Sequence, residues 1–531
     1  TIDGRSETTG CALIPPMSIR KIPFKVFHSK DGIKGNFEAA IKITSKEGNK
    51  ILAEDKGTLR ILNKGENHKV TFVSGIDGSV QYYSVNPARN DEGTPKALFL
   101  SVHGASVEAI NQSGSYFPKS WGHIVSPTNR RPYGFNWEDW GRIDAMEVYN
   151  KAMSTLKIDP ERIYLTGHSM GGHGTWHLGA TYPDKFAALG PSAGWISFWS
   201  YRVRERNENP TPMEAMVMRA TGPSDTYGLS ENYKQQGIYI IHGGKDDNVP
   251  PTESRNMVEN LKKFHNDFVY YEQPEAGHWW DNSDEDGADC VDWAPLFDFF
   301  ARHSLPNSNT VRKVSFTTAN PGVSYKNHWL MIFQQLEQLK MSKADFSFDP
   351  GKNRFNGNTE NVKKLGLVLD MADLNRTVTL YIDDQEISIN ISTPFLLKYD
   401  WQGYAISTEK SVSKGLLLEK KEGKWLIAGN INPDEKHPGR YGTFKSAINN
   451  NVVFVYGTSG SRKENEWAFN KARYDAEQFW YQGNGSIKVI KDTDLNQANL
   501  EDVNYIIYGN AATNAAWKLL LSDSPVQVKK G

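Results

Sequence analysis

The residues Gly-His-Ser-Met-Gly at positions 167–171 constrain the fold of this chain more than any other segment. They follow an apolar run typical of a buried strand, residues 162–166, and precede a segment with a helical pattern, residues 172–178. A serine at the tip of a sharp strand-to-helix turn has a strained backbone, and glycines two positions before and after it remove colliding Cβ atoms. The segment therefore predicts a nucleophile elbow with Ser169 at its tip.

Two further strand ends supply the polar groups that a serine nucleophile needs. One apolar run ends in Gly-Gly and is followed by Asp246 and Asp247, and the next apolar run leads into a loop that contains His278. A neutral histidine can take the serine proton, and a carboxylate can hold that histidine in the correct tautomer. The chain order serine, acid, histidine is the order expected of an α/β-hydrolase. We predict a catalytic triad of Ser169, Asp246 and His278, with Asp247 as the open alternative for the acid.

The developing negative charge on the substrate also needs hydrogen-bond donors. We predict that the backbone amide of Met170 is one donor and that the amide of Ala105, in the His-Gly-Ala-Ser loop after an apolar run, is the other. Three tryptophans near these segments are candidates for substrate contact, with burial in the core as the alternative for each. They are Trp279, Trp195 and Trp137.

Composition excludes several classes of function. The 61 basic and 62 acidic side chains give a net charge of −1, which favours neither nucleic acid nor an anionic membrane as partner. No apolar run approaches the roughly 20 residues that span a bilayer. No zinc-binding or phosphate-loop spacing is present, so we predict neither a metal nor a cofactor. Cys11 and Cys290 either form one bridge or remain free thiols. The printed sequence begins at Thr1 without a signal peptide, which fits either a processed protein or a trimmed sequence; on the first interpretation we predict a secreted or periplasmic bacterial protein.

The pattern along the 531 residues predicts several domains. Residues 1–75 alternate like an antiparallel β module, and residues 76–305 alternate strands with helices, which indicates a doubly wound, mainly parallel sheet. Residues 310–398 are typical of a β-sandwich-like module, and residues 399–531 return to α/β, as a module that is either complete or cut short. The fold class is therefore α/β with flanking β modules. An insertion at residues 195–236 is either a lid or a surface decoration.

Residues 79–304 resemble the prolyl-oligopeptidase-like branch of α/β-hydrolases, and they are also similar to feruloyl and acetylxylan esterases of the polyhydroxybutyrate-depolymerase type. The motifs that carry the resemblance are residues 159–172, residues 182–188, residues 242–250 and the Gly-His pair at 277–278. The resemblance implies a serine hydrolase in which the serine, the first acid of the 242–250 loop and the histidine carry the catalysis.

Three functions remain open on this reading. We favour a serine esterase that cleaves carboxylic esters through an acyl-enzyme, with acetyl or feruloyl esters on plant polysaccharide as substrates. A serine peptidase acting on short peptides is the first alternative. The printed sequence has only about 75 residues before the hydrolase-like region, whereas the propeller that filters peptides needs roughly 300. An inactive carbohydrate-binding or scaffold protein on a hydrolase fold is the second alternative, and the oligomeric state is left open.

Overall fold

The computed structural model of the chain describes residues 6–11, 14–25, 34–48, 50–63, 65–89, 93–201, 209–389, 396–397, 413–429, 431–495 and 503–529. In this part of the chain the strands form five sheets. The first is an antiparallel hairpin of β1 (Gly35–Thr44) and β2 (Ile51–Ile61). No helix among the described residues is long and apolar enough to cross a bilayer. Cys11 is exposed and Cys290 is buried, and the two do not form a disulfide with each other.

An eight-stranded sheet holds the predicted site. Its strands are β3 (His68–Val73), β4 (Val80–Asn86), β5 (Lys96–Val102), β6 (Gly122–Ser126), β7 (Ile158–His168), β8 (Ala188–Ser192), β9 (Gly237–Gly243) and β10 (Phe268–Gln273). The order across the sheet is β10-β9-β8-β7-β5-β6-β4-β3. The strands from β10 to β6 are parallel, and β4 and β3 pair antiparallel at one side. The sheet extends across the boundary expected at residue 75, because β3 pairs with β4 along its whole length.

Helices cover both faces of this sheet, as the alternating pattern predicts. They are α1 (Ala109–Gly114), α2 (Asp139–Thr155), α3 (Met170–Thr181), α4 (Phe198–Tyr201), α5 (Pro212–Ala220), α6 (Thr252–Leu261) and α7 (Ala294–Ala301). Successive side chains of β5 point to opposite faces. Leu98 and Leu100 join an apolar cluster with α2, α3 and α6, whereas Phe99 joins a second cluster with α7. Helices α4 and α5 belong to the predicted insertion, of which residues 202–208 lie outside the described residues.

A β-sandwich follows. Its strands are β11 (Lys313–Thr318), β12 (Lys326–Asn327), β13 (Leu330–Gln335), β14 (Ser342–Asp349), β15 (Arg354–Glu360), β16 (Val362–Val368), β17 (Val378–Ile382), β18 (Gln385–Ile389), β19 (Leu396–Leu397), β20 (Ser413–Lys421) and β21 (Lys424–Ala428). One apolar cluster joins side chains of both sheets, among them Phe346 of β14 and Leu365 of β16. Because β20 pairs with β16 and β21 pairs with β20, the sandwich continues past residue 398. The expected boundary between 398 and 399 lies outside the described residues.

The last sheet is parallel, with three strands in the order β23-β22-β24. Its elements are β22 (Val452–Tyr456), α8 (Arg462–Gly483), β23 (Lys488–Lys491), β24 (Asn504–Tyr508) and α9 (Ala516–Leu520). A capping box of Ser461 and Glu464 starts α8. This C-terminal module packs on the region of the eight-stranded sheet, because Trp140 of α2 lies in one apolar cluster with Phe454 and Ala472. Short 3-10 helices lie at Gly222–Ser224, Ser230–Gln235, Ser308–Thr310, Pro438–Arg440, Phe444–Ile448 and Asp492–Asp494.

Candidate active site

Ser169 lies at a strained turn between β7 and α3. Its backbone has φ 60° and ψ −120°, a conformation that residues other than glycine rarely adopt. A Cβ atom on Gly167 would lie 2.4 Å from the carbonyl oxygen of Val102, and a Cβ atom on Gly171 would lie 1.9 Å from the same oxygen. The end of β5 therefore passes so close to the elbow that only glycine fits at both positions. The elbow is held by a hydrogen bond from the Ser169 amide to the carbonyl of Ser192, at 2.9 Å.

Three loops bring a serine, a histidine and a carboxylate into one hydrogen-bonded line. The Nε2 atom of His278 lies 2.8 Å from the Ser169 hydroxyl oxygen, and its Nδ1 atom lies 2.7 Å from Oδ2 of Asp246. The Asp246 side chain is fully buried, whereas 20% of the His278 side chain is exposed. Asp247, the alternative acid, is exposed. The loops follow β7, β9 and β10, whose carboxyl ends share one edge of the sheet because these strands are parallel.

Both oxygens of the Asp246 carboxylate have hydrogen-bonding partners within the protein. Its Oδ1 accepts hydrogen bonds from the amides of Asn248 and Val249, both at 2.9 Å, and Nε2 of His242 lies 3.3 Å from Oδ2. Burial by itself would raise the pKa of Asp246. The hydrogen bonds from His242, His278 and the Val249 amide outweigh that effect and lower the pKa well below its ordinary value. An ionised Asp246 can stabilise the imidazolium that forms when His278 takes a proton.

His242 is a supporting residue that the sequence reasoning did not identify. It is fully buried, with Nδ1 2.7 Å from the Ser254 hydroxyl and Nε2 2.8 Å from the carbonyl of Val249. The Ser254 hydroxyl can donate to Nδ1, which leaves an Nε2 proton facing Val249 and Asp246. The signal in the sequence was a histidine near the end of a buried strand, directly before the Gly-Gly that precedes the acid.

His168 packs directly behind the proposed base. Its ring lies 4.8 Å from the His278 ring and 5.2 Å from the Trp279 ring, with the latter pair edge to face. Burial, together with the charge of the neighbouring His278, lowers the pKa of His168 to about 3. His168 therefore stays neutral at ordinary pH. A neutral neighbour adds no repulsion when His278 becomes positively charged during proton transfer.

The two predicted oxyanion donors lie in segments that border Ser169. Met170 is the first residue of α3, and first-turn amides have no carbonyl partner within their own helix. A Cβ atom on Gly104 would lie 3.2 Å from the carbonyl oxygen of His168 and 3.5 Å from Cβ of Ser169. The loop that contains Ala105, which is exposed, therefore passes alongside the elbow. The role of both amides as donors remains a prediction.

The three tryptophans occupy different environments. Trp279 is 51% exposed, so its ring is accessible beside the site. Trp195 is 5% exposed and stacks on the ring of His173 at 4.7 Å. Trp137 is fully buried, and its indole N–H donates to the carbonyl of His103 at 3.0 Å. The structure therefore places Trp195 and Trp137 in the protein interior, and the predicted substrate contact is corrected for both, because their rings pack against other residues of the protein.

This arrangement has the chemistry of acyl transfer. A buried carboxylate, an imidazole and a hydroxyl stand in a row, so a proton can pass from the hydroxyl to the imidazole during attack on a carbonyl carbon. Among the residues that the structure describes, no group of three or more histidine, cysteine or acidic side chains could hold a metal ion.

Comparisons with known proteins agree with this reading of the fold. Residues 129–305 match the model of the prolyl oligopeptidase family. The chain is 28% identical over 225 residues to an uncharacterized secreted protein of Arthroderma benhamiae, which covers 38% of this chain and 24% of that protein. It is 26% identical to poly(3-hydroxyalkanoate) depolymerase C of Paucimonas lemoignei, over 35% of this chain and 49% of that protein. It is 23% identical to a bifunctional acetylxylan esterase/xylanase of Neocallimastix patriciarum, over 37% of this chain and 26% of that protein.

These matches confirm the predicted resemblance of the central region to α/β-hydrolases of the prolyl-oligopeptidase type, and they support a hydrolase. The chain spans between about a quarter and about half of the length of these curated relatives.

Proposed function

We propose that this chain is a secreted serine esterase that hydrolyses carboxylic esters, with acetyl or feruloyl esters on plant polysaccharide as its substrates. The observation that carries the proposal is the continuous hydrogen-bonded path from Ser169 through His278 to Asp246, with distances of 2.8 and 2.7 Å. The low pKa of Asp246 and the neutral state of His168 suit a base that must gain and lose a proton in each cycle.

In this mechanism the Ser169 oxygen attacks the carbonyl carbon of the ester while its proton moves to Nε2 of His278. The amides of Met170 and Ala105 donate to the tetrahedral oxyanion. His278 then passes the proton to the alcohol oxygen, the carbon–oxygen bond breaks, and the acyl group remains on Ser169. A water molecule then attacks the acyl carbon while His278 takes its proton. The bond between the acyl carbon and the Ser169 oxygen breaks, and His278 returns the proton to that oxygen, which releases the acid and restores the free serine. Asp246 stabilises the imidazolium in both steps.

The choice of an ester on a large substrate rests on Trp279 and on the relatives. A half-exposed indole ring beside the base can stack on a sugar ring or on a phenolic acyl group. One relative carries the name acetylxylan esterase/xylanase, which agrees with an ester on a polysaccharide. Another is described as secreted, which supports the same location for this chain.

A serine peptidase is the second candidate, because residues 129–305 match the prolyl oligopeptidase family. The same triad forms the same acyl-enzyme from an amide bond, with an amine in place of the alcohol as leaving group. The two substrate classes differ in the leaving group, so a direct comparison of esters and amides distinguishes the two functions.

The experiment is to measure hydrolysis of p-nitrophenyl acetate, methyl ferulate, acetylated xylan and proline-containing peptide amides by the purified protein. We expect ester turnover with an initial burst, and we expect Ser169→Ala to abolish it. Turnover of the amides alone would replace the esterase with the peptidase. A folded protein that turns over neither class would favour the inactive carbohydrate-binding or scaffold alternative.

A further inference from the structure

The loop from residue 128 to residue 138, here called the bracing loop, connects β6 to α2 with a strained backbone. Four of its residues have positive φ although none is glycine: Asn129 (52°), Arg130 (66°), Asn136 (52°) and Trp137 (64°). Each such residue costs of order 1 kcal/mol or more and persists only where the surroundings hold it. Contacts on both sides of the bracing loop must therefore hold it in this conformation.

On one side the bracing loop is bonded to the loop that carries Ala105. The indole N–H of Trp137 donates to the carbonyl of His103 at 3.0 Å, and the amide of Ser106 donates to the carbonyl of Pro132 at 3.1 Å. The Nε2 atom of His103 also lies 2.9 Å from the carbonyl oxygen of Thr128. The segment 103–106 is thus tied to the bracing loop at both of its ends.

The bracing loop reaches the other proposed oxyanion donor as well. The fully buried Asn129 accepts hydrogen bonds on Oδ1 from the amides of Phe135 and Trp137, at 3.1 and 3.2 Å, which closes the loop on itself. The side-chain nitrogen of Asn129 lies 4.0 Å from the sulfur of Met170. One strained segment therefore contacts both stretches of chain that would bind the oxyanion.

On its other side the bracing loop is held by the C-terminal module. The Nε atom of Arg130 donates to the carbonyl of Gly483 at 2.8 Å, and Arg131 donates to the carbonyl of Trp480 from Nε and Nη2, at 3.3 and 3.1 Å. In return the side chain of Asn484 donates to the carbonyl of Arg130 at 2.6 Å. These contacts all come from the last turn and the C-cap of α8.

A buried ion pair stabilises the contact between the bracing loop and the C-terminal module. Arg130 and Asp77 lie 2.8 Å apart and both side chains are almost fully buried. Asp77 also accepts from the amide of Ser486 at 2.8 Å, and the Arg130 guanidinium lies over the ring of Trp140 at 4.9 Å. Removing one partner of a buried pair leaves an uncompensated charge. The geometry of this junction is therefore specified closely.

We propose that the C-terminal α/β module is a positioning element for the oxyanion loop at residues 103–106. Arg130, Arg131 and Asn484 act as positioning residues through the bracing loop and touch no reacting atom. The inference rests on the proposed function, because it assigns to residues 103–106 the donor of a serine hydrolase. A shift of about 1 Å in a catalytic group can cost on the order of 100-fold in rate.

Two gentle variants test this proposal in the full chain. Asn484→Gly removes the bond to the Arg130 carbonyl and keeps the left-handed C-cap, where φ is 51°. Arg131→Met removes both bonds to the Trp480 carbonyl and keeps most of the apolar stem. For p-nitrophenyl acetate we expect each variant to lower kcat about 10-fold, with KM changed by less than about threefold and an unchanged pH profile, because the triad is untouched.

The matched control is Glu477→Gln, on the same helix. Glu477 pairs with Arg20 at 2.5 Å, and within the described part of the chain it makes no hydrogen bond to the bracing loop. We expect its kcat to stay within about twofold of the wild type. An equal loss of kcat in this control would overturn the proposal, since it would indicate a general effect of loosening α8.

Hydrogen–deuterium exchange gives a readout that does not depend on activity. We expect faster exchange of the amides at 103–106 in Asn484→Gly and Arg131→Met, and wild-type exchange in Glu477→Gln. Wild-type exchange in both test variants, or faster exchange without any loss of kcat, would overturn the proposal. If the wild type hydrolyses no ester, or Ser169→Ala stays active, the proposed function fails instead, and exchange alone then decides whether the module positions this loop.

Discussion

Replacing Asp246 with asparagine changes one atom and should disable the site through the tautomer of His278. In the native site Oδ1 accepts from the amides of Asn248 and Val249, so in Asp246→Asn the amide oxygen must take that place. The new NH2 group then occupies the position of Oδ2, which lies 2.7 Å from Nδ1 of His278. Two donors cannot face each other, so His278 must carry its proton on Nε2. That nitrogen can then no longer accept the proton of Ser169.

The expected magnitude separates this mechanism from a simple loss of stability. In a serine triad the loss of the correct tautomer and of the carboxylate charge costs on the order of 10⁴ in kcat, or about 5 kcal/mol of transition-state stabilisation. The loss of a single neutral hydrogen bond would cost only about 1 kcal/mol, a factor of about 5. A fall of three to four orders of magnitude therefore indicates that Asp246 orients and charges the base.

The assay is steady-state hydrolysis of p-nitrophenyl acetate, with thermal unfolding measured on the same preparations. Asp247→Asn is the matched control, because Asp247 is the next residue and is exposed. We expect the control to keep its kcat within about twofold of the wild type. An Asp246→Asn protein that folds and keeps more than a tenth of the wild-type kcat would refute the assignment of the acid.

Three further outcomes are expected. Trp279→Ala should raise KM for methyl ferulate about 10-fold, the loss of one stacking contact, and leave KM for p-nitrophenyl acetate nearly unchanged; equal effects on both would contradict a substrate contact. Gly171→Ala should lower the free energy of unfolding, measured with urea, by about 3 kcal/mol or more, because its Cβ would lie 1.9 Å from the Val102 carbonyl oxygen. Gly277→Ala should not lower it, because a Cβ at residue 277 would have no atom within 4 Å. Burial raises the pKa of Glu147 to about 7. The stabilising contribution of the protonated side chain is therefore complete below about pH 4.5 and is lost as pH rises through 7. The free energy of unfolding of Glu147→Gln should gain about 3 kcal/mol over that of the wild type between pH 5 and 8, and parallel pH curves would contradict this.

The periodicity of apolar residues predicted the kinds of module along the chain. The expected boundaries at residues 75 and 398 needed correction, because strands pair across the first and the sandwich continues past the second. The alternation of strands and helices indicated the doubly wound sheet, and the alternating runs after residue 310 indicated the sandwich. The pairing of β3 with β4 and of β20 with β16 is not encoded in the period of either strand. A strand pattern states which face is buried and leaves open which edge it joins.

The sequence by itself determined the elements of the site that depend on local geometry. Glycines two positions before and after Ser169 indicate a sharp strand-to-helix turn, and the alternating strand pattern predicts that the acid and the histidine follow parallel strands and so meet at one edge of the sheet. Only the tertiary structure showed that Asp246, and not the exposed Asp247, contacts His278, and that Trp279 is exposed whereas Trp137 is buried. Contacts with residues distant in sequence determine burial and hydrogen bonding. The link from α8 to the bracing loop is of the same kind, since about 350 residues separate Arg130 from the carbonyl of Gly483 that it binds.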